Sequence, residues 1–397
     1  MVFIERRREF HSDPRTPPIL PSLSVIVPAW NEESTIAKTV RSLFALDYSK
    51  GKLEIIIVND GSSDGTSKIA HALRKDYKSL RVIDKKNGGK ASALNVGIEH
   101  ARGEMVACMD ADSMVDKRAL KQMVGYFRDT EVAAVTSSMK VSNRERALGK
   151  AQAAEYLLNI FLRKILTFMD ALPVTPGPFS IYRKSVVQRL GGFEGDNLVE
   201  DMDMAFKLHS HGYKIETSTR ARVWTICPDT LRGVYHQRVR WYRGLVATSF
   251  KYKDMFFNPA YGNLGVFFLP LNFLAIALVS LMLGLIVYST VSSLSQTIWN
   301  WNLVGFDLSY IISSLRPPDL SVMLLDTRTM LMASSTLLGV ALLFFSFRQA
   351  GEKVRQNPAG FVSYMFVFPF MMMVFWSVSL VHELIKSPKG WQREKKS

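Results

Sequence analysis

Met105-Val106-Ala107-Cys108-Met109 is an unbroken apolar run that ends on Asp110-Ala111-Asp112. A short apolar run without alternation reads as a strand buried on both faces, as in a parallel sheet. The acids at its end fall where an open α/β sheet presents its loops to ligands. The arrangement repeats upstream. Ser24-Val25-Ile26-Val27-Pro28 leads to polar Asn31-Glu32-Glu33-Ser34 and a helical spacing through Ile36, Val40, Leu43 and Phe44. Glu54-Ile55-Ile56-Ile57-Val58 leads to the loop Asn59-Asp60-Gly61-Ser62-Ser63-Asp64-Gly65-Thr66 and a further helix. Leu80-Arg81-Val82-Ile83 leads to Asn87-Gly88-Gly89-Lys90 and a helix to about Ala101. Strand, polar loop and helix in alternation predict an α/β, Rossmann-like domain with a mostly parallel sheet. Downstream, residues 132–139 read as another strand. Residues 144–169 read as a helix with Tyr156, Leu157, Ile160 and Phe161 gathered on one side.

The average composition conceals two parts. The chain has 397 residues, is 48% apolar and carries a net charge of +15. Residues 22 to about 258 read as a water-exposed enzyme domain, and long apolar runs dominate the rest. A basic surface attracts nucleic acid, anionic lipid and phosphorylated small molecules alike. With no zinc-knuckle, helix-turn-helix or RNA-recognition pattern, no nucleic-acid partner is expected. Cys108 and Cys227 lack metal-ligand spacing, so reduced thiols are expected. Residues 1–21 carry Arg6-Arg7-Arg8 and four prolines, Pro14, Pro17, Pro18 and Pro21, but no apolar signal core. They read as an extended basic arm, either resting on anionic headgroups or disordered.

Residues 235–260 mix Arg238, Arg240, Arg243 and Lys251 with Trp241, Tyr242, Phe250 and Tyr252. That is the composition of an amphipathic helix at a membrane interface. A bilayer span takes about 20 mostly apolar residues. Residues 264–288, 330–347 and 361–381 qualify, so 261–385 is read as a transmembrane region of about three spans. Arg348, Lys353 and Arg355 put the loop after the second span, and the enzyme domain, in the cytoplasm by the positive-inside rule. The basic tail 386–397, with Lys386, Lys389, Arg393, Lys395 and Lys396, conflicts with an odd number of crossings. A re-entrant or interfacial segment would remove the conflict, as would an extra crossing within 299–325. Asp307 and Arg316-Pro317-Pro318-Asp319 speak against the latter.

Each polar group has chemistry available to it. Asp110 and Asp112, one residue apart at a strand end, can hold a hard divalent ion and leave positions for phosphate oxygens. Asp60 can accept from a base or ribose, or simply close an Asx turn with Gly61. Lys90, behind two glycines, can approach a phosphate or remain a solvated loop lysine. Glu200 and Asp201 precede a helical pattern, where an acid caps exposed N–H groups and can also take a proton from a sugar hydroxyl. Asp203 continues that acidic run. On a helix, Gln237, Arg240 and Trp241 share a face, offering a guanidinium fork for phosphate and an apolar plate for a sugar ring.

Taken in order, these pieces resemble the membrane-integrated family 2 glycosyltransferases, the group of cellulose, chitin, hyaluronan and poly-N-acetylglucosamine synthases. The resemblance covers residues 24–244. Val27-Pro28-Ala29-Trp30-Asn31-Glu32 is similar to the family's opening motif, and Asn59-Asp60-Gly61-Ser62-Ser63-Asp64 to its nucleotide loop. Asp110-Ala111-Asp112, Glu200-Asp201 and Gln237-Arg238-Val239-Arg240-Trp241 are similar to its metal, base and Gln-x-x-Arg-Trp motifs. Gly177-Pro178-Phe179-Ser180-Ile181-Tyr182-Arg183 resembles an acceptor-side segment.

The resemblance implies a GT-A fold over residues 22–234 and an inverting, metal-dependent transfer from a UDP-sugar. Donor binding would fall to Pro28, Asn31, Glu32, Asp60, Lys90 and Asp110. Asp112, helped by Asp110, would hold Mg²⁺ or Mn²⁺, and Asp201 would be the base. Glu200, Gln237, Arg240 and Trp241 would meet the diphosphate and the acceptor's terminal sugar. The expected product is a β-linked polysaccharide made processively at the plasma membrane. The alternative is one sugar added to a lipid. Saccharide or lipid acceptor and membrane lipids are the expected partners, with homo-oligomerisation left open. Many synthases of the group carry membrane helices ahead of the catalytic domain, and none is read here.

Overall fold

The computed structural model describes residues 2–195, 197–314 and 327–385. Four strands run parallel: β1 (Leu23–Ala29), β2 (Leu53–Asp60), β3 (Leu80–Lys85) and β4 (Met105–Cys108). The sheet continues with β5 (Ser113–Val115), β6 (Val132–Val141), β7 (Ser180–Arg183) and β8 (Lys214–Thr225). All eight lie in the order β3-β2-β1-β4-β7-β6-β8-β5. β7 is antiparallel to both its neighbours, whereas β6 and β8 are parallel. The apolar strands are continuous because both faces are covered. Val25, Val27, Ile55 and Ile57 meet Ile36, Val40 and Leu43 on one side. Ile26, Ile56 and Val58 meet Leu94, Ile98 and Leu208 on the other. The helices over these faces include α2 (Ile36–Phe44), α3 (Thr66–Leu73), α4 (Lys90–His100), α5 (Ala119–Met123), α6 (Ala147–Phe168), α7 (Lys184–Arg189) and α8 (Glu200–Ser210), while α1 (Val2–Glu5) packs on α6. Pro28 can sit in a central strand because β4 pairs with β1 only as far as Ile26, so its missing N–H breaks no ladder to β4.

The N-terminal arm packs against the domain at several points. Phe10 is buried, meets Phe3 and Phe161 ring to ring, and its carbonyl accepts from Thr219. Tyr126 Oη donates to Asp13, and Arg6 lies over the Phe168 ring. Phe10 and Arg6 therefore dock the arm on α6 and β8.

The basic-aromatic segment is α9 (Leu231–Lys251), started by Thr230, whose hydroxyl accepts from Gly233 N–H. Two of its arginines are held inside the protein. Arg238 pairs with Glu155 at 2.6 Å, and Arg243 with Glu383 at 2.7 Å. Tyr242 stacks on Trp376 with centroids 3.8 Å apart. Much of the aromatic and basic character braces α9 between α6 and the last helix.

Among the described residues, two helical stretches are long and apolar enough to cross a membrane, Leu264–Leu303 and Met330–Gln349. The first has 40 residues, about 60 Å at 1.5 Å per residue, roughly twice a hydrocarbon core. The third expected span is a pair, Pro358–Phe366 and Phe368–Leu384, bent by 46°. Pro369 stands at the start of the second half, where a ring without an N–H ends one helix and opens the next. Arg316-Pro317-Pro318-Asp319 and the basic tail lie outside the described residues.

Candidate active site

The carboxyl ends of β1, β2 and β4 carry the predicted loops. After β1, Asn31 takes a left-handed backbone (φ 54°), and its side-chain carbonyl accepts from Ser63 N–H at 2.8 Å. Glu32 is buried; its carboxylate accepts from Thr35 and its N–H donates to Thr66 Oγ1. Asn31 and Glu32 therefore bind the first loop to the second.

Asp60 does more than close a turn. Only 3% exposed, it accepts from Gly88 N–H at 3.0 Å and Gly89 N–H at 2.8 Å, and from the Lys85 ammonium at 2.5 Å. Its carboxylate thus holds the Asn87-Gly88-Gly89 loop. Gly89, at φ 85°, turns the chain into α4 with Lys90 as the first helical residue. A cation there is opposed by the helix dipole. Two carboxylates more than offset this, Asp110 Oδ1 at 2.7 Å and Glu200 Oε1 at 2.9 Å. Burial pulls the Lys90 pKa down, but these acids and Asp201 outweigh it and raise it. Gly177 packs closely beside this pair: a Cβ there would stand 2.5 Å from Lys90 Nζ and 2.9 Å from Asp110 Oδ1 and would displace them.

Asp112 is half-buried behind β4, with Ser113 Oγ donating to it at 3.3 Å. Among the described residues no three His, Cys, Asp or Glu side chains cluster as a metal cage. Asp110 and Asp112 supply hard oxygens only, which suits Mg²⁺ or Mn²⁺ completed by phosphate and water.

Glu200 and Asp201 open α8 in its first turn. Thr175 fixes that turn, donating from its hydroxyl to the Asp201 carbonyl at 2.7 Å. The Asp201 carboxylate accepts from Met202 N–H at 2.9 Å. Burial raises the Asp201 pKa and the Glu200 charge adds to it, against Lys90 and Arg240, to about 6. Burial also pushes Glu200 up, but Lys90 and Arg240 prevail and hold it below the usual range. Neighbouring carboxylates are thus driven apart, one ionised and one poised to exchange a proton. Asp203, by contrast, does not join this centre. It is buried and pairs with Lys251 at 2.7 Å, tying α8 to the end of α9.

Arg240 faces Glu200 and Asp201 electrostatically from α9. Gln237 has a buried Oε1 with no hydrogen-bond partner among the described residues. Trp241 packs against Met139, Val141, Ala153, Tyr156 and Cys227, so one edge of the plate belongs to the core. Sequence reasoning did not find Glu155, Arg163 or the buried Arg238. Glu155 and Arg163 are polar positions on a helix whose apolar side carries the readable pattern. Arg163 lies in the field of both Glu155 and Asp201, and burial lowers its pKa.

Residues 24–191 match the family model described as Glycosyl transferase family 2. Poly-beta-1,6-N-acetyl-D-glucosamine synthase of Staphylococcus aureus is 37% identical over 227 residues, 57% of this chain and 55% of that protein. The Staphylococcus epidermidis protein of the same name is 35% identical over 224 residues, 56% of this chain and 54% of that one. The chain therefore spans about half the length of the curated relatives it matches. Among solved structures, the mannosyltransferase PcManGT from Pyrobaculum calidifontis, in complex with GDP-Man and Mn²⁺, superposes with a TM-score of 0.60. Identity is 20%, over 98% of this chain and 95% of that one. This likeness carries the fold, a GT-A domain with a helical C-terminal region.

Proposed function

We propose that this chain, a family 2 glycosyltransferase through its residues 24–191, transfers a sugar from a UDP-sugar to a saccharide hydroxyl with inversion, extending a β-linked polysaccharide at the membrane. The observation that carries the reading is the Lys90 bridge. One ammonium joins Asp110, on the donor side, to Glu200, next to Asp201. The proposed proton acceptor and the proposed phosphate end of the site are thus parts of one centre.

Asp201 takes the proton of the acceptor hydroxyl as its oxygen attacks the anomeric carbon and the bond to UDP breaks. Its raised pKa suits a base that must ionise and yet bind a proton. Glu200, held ionised, keeps Lys90 in place. Lys90 and Arg240 bring positive charge to the departing diphosphate. Asp60, with Pro28, Asn31 and Glu32, shapes the donor loops, while Gln237 and Trp241 receive the acceptor's terminal sugar. A divalent ion on Asp112 and Asp110 would draw charge from the diphosphate. The Mn²⁺ named with the mannosyltransferase supports such an ion, and the names of the staphylococcal relatives support an N-acetylglucosamine donor.

Two contacts support a topology with the catalytic domain and the end of the last helix on the same, cytoplasmic, side. Asn357 Nδ2, ahead of the bent pair, donates to the Lys150 carbonyl of α6. Glu383, near its far end, pairs with Arg243 of α9. A segment anchored to the same domain at both ends enters the membrane surface and returns.

The test incubates membranes holding the chain with a panel of radiolabelled UDP-sugars and sizes the product. Long polymer from one donor is expected, lost on chelation and restored by Mg²⁺ or Mn²⁺. Failure to incorporate any donor overturns the reading. A single-sugar glycolipid supports the rival, which the largely exposed side chains of Leu264–Leu303 favour, since they suit lipid more than a polymer channel.

A further inference from the structure

Arg238 lies inside the Gln-x-x-Arg-Trp run, at a position the motif leaves unspecified, yet it is the largest of the fully buried side chains, 2% exposed. Two partners hold it there, while its Nε has no hydrogen-bond partner among the described residues. Its Nη2 donates to Glu155 Oε2 at 2.6 Å. Its guanidinium carbon lies 4.3 Å from the centre of the Trp241 ring. An arginine three residues before a tryptophan on one helix can reach that ring, but a free guanidinium would have many other rotamers. The ion pair to α6 removes them. A buried charge needs an opposite charge beside it, and the Glu155 carboxylate supplies it.

We infer that Glu155 and Arg238 are positioning residues for the acceptor plate. Glu155 fixes Arg238, and the Arg238 guanidinium sits against the Trp241 ring, so the indole is held at a set angle. The core supports the plate along the Met139, Val141, Ala153, Tyr156 and Cys227 contacts. The guanidinium also polarises the ring, since a cation over one face is held by the electrons of the π system. The pair therefore governs how well the acceptor sugar binds and leaves the donor loops and Asp201 untouched. This inference rests on Trp241 receiving the acceptor, as proposed above.

The experiment compares purified wild type, Glu155→Gln, Arg238→Lys and Trp241→Phe, and each Glu155 and Arg238 change again in the Trp241→Phe background. The donor is UDP-N-acetylglucosamine and the acceptor a short β-linked N-acetylglucosamine oligosaccharide. Glu155→Gln and Arg238→Lys should each raise the acceptor KM about tenfold, a typical stacking contribution, with UDP binding by calorimetry unchanged. Lysine keeps the charge near Glu155 but not the guanidinium against the ring, so Arg238→Lys tests that contact even where Glu155→Gln unfolds the protein. In the Trp241→Phe background the same changes should add less than about twofold, because coupled residues are not additive. An unchanged acceptor KM in Arg238→Lys overturns the inference, as does a full effect without Trp241 or an equal loss of UDP binding. Wild type that transfers no sugar to the oligosaccharide overturns the functional reading instead.

Discussion

Asp60 ends β2 and Asp201 opens α8, and the two carboxylates lie in different surroundings. Their fates differ through the number of donors each finds. Asp60 meets two backbone N–H groups and an ammonium, so its oxygens are occupied and it holds a loop. Asp201 meets one N–H of its own helix and a neighbouring Glu200. Its charge is therefore costly and its proton easily exchanged. A satisfied carboxylate builds a site, and an under-satisfied one can do chemistry in it.

The contrast can be broken by substitution. Asp201→Asn should lower turnover by about 10²–10⁴, the usual share of a positioned base, while UDP binding persists. UDP release measured at saturating donor checks this, and near-normal turnover removes Asp201 from the role. Asp60→Asn places an amide against backbone N–H groups. Donor KM should rise about tenfold to a hundredfold, with a smaller effect on kcat. An effect confined to kcat would put Asp60 in the chemistry rather than in the loop.

The pH profile sharpens the same contrast. Only ionised Asp201 accepts a proton, so kcat should fall about tenfold per pH unit below its pKa of about 6. Glu200, Lys90, Arg240, Asp110 and Arg163 face it and set that value. For stability the sign reverses. A carboxyl whose folded pKa is raised stabilises the fold below the ordinary carboxylate range and loses that contribution as pH rises through about 6. Asp201→Asn should therefore melt above wild type at about pH 7.5, with the gain gone near pH 4. The smallest expected effect lies away from the site. Glu352 pairs with Lys140 and Arg144 at 2.8 and 2.9 Å, joining the loop after Met330–Gln349 to the catalytic domain. Glu352→Gln should cost about 1–3 kcal/mol by denaturant titration and leave the acceptor KM unchanged.

Legibility followed burial. β1, β2 and β4 could be read because a short, mostly apolar run bounded by polar loops suits little besides a buried strand. β8, Lys214 to Thr225, could not, because its Thr, Arg and Glu positions fit an irregular strand with shifts in register. Pro369 was visible within the third apolar stretch, yet hydropathy averages over it, so a bend reads as a straight span. Asp201 was legible from its place in a motif. Glu155 was not, because a glutamate on a long helix is ordinary until the fold puts a buried arginine opposite it.

The sequence by itself determined the alternation of strand and loop, the acids at the loop ends and the apolar character of the C-terminal part. These are local properties, fixed by side-chain type and spacing. The tertiary structure alone decided which charges meet. Lys90, Asp110 and Glu200 come from separate elements, and only the parallel sheet's shared carboxyl edge brings them within hydrogen-bonding distance. It also decided that Arg238 and Arg243 are buried bracing rather than lipid anchors. Charge partners depend on distances across the fold, and the order of residues along the chain does not contain those distances.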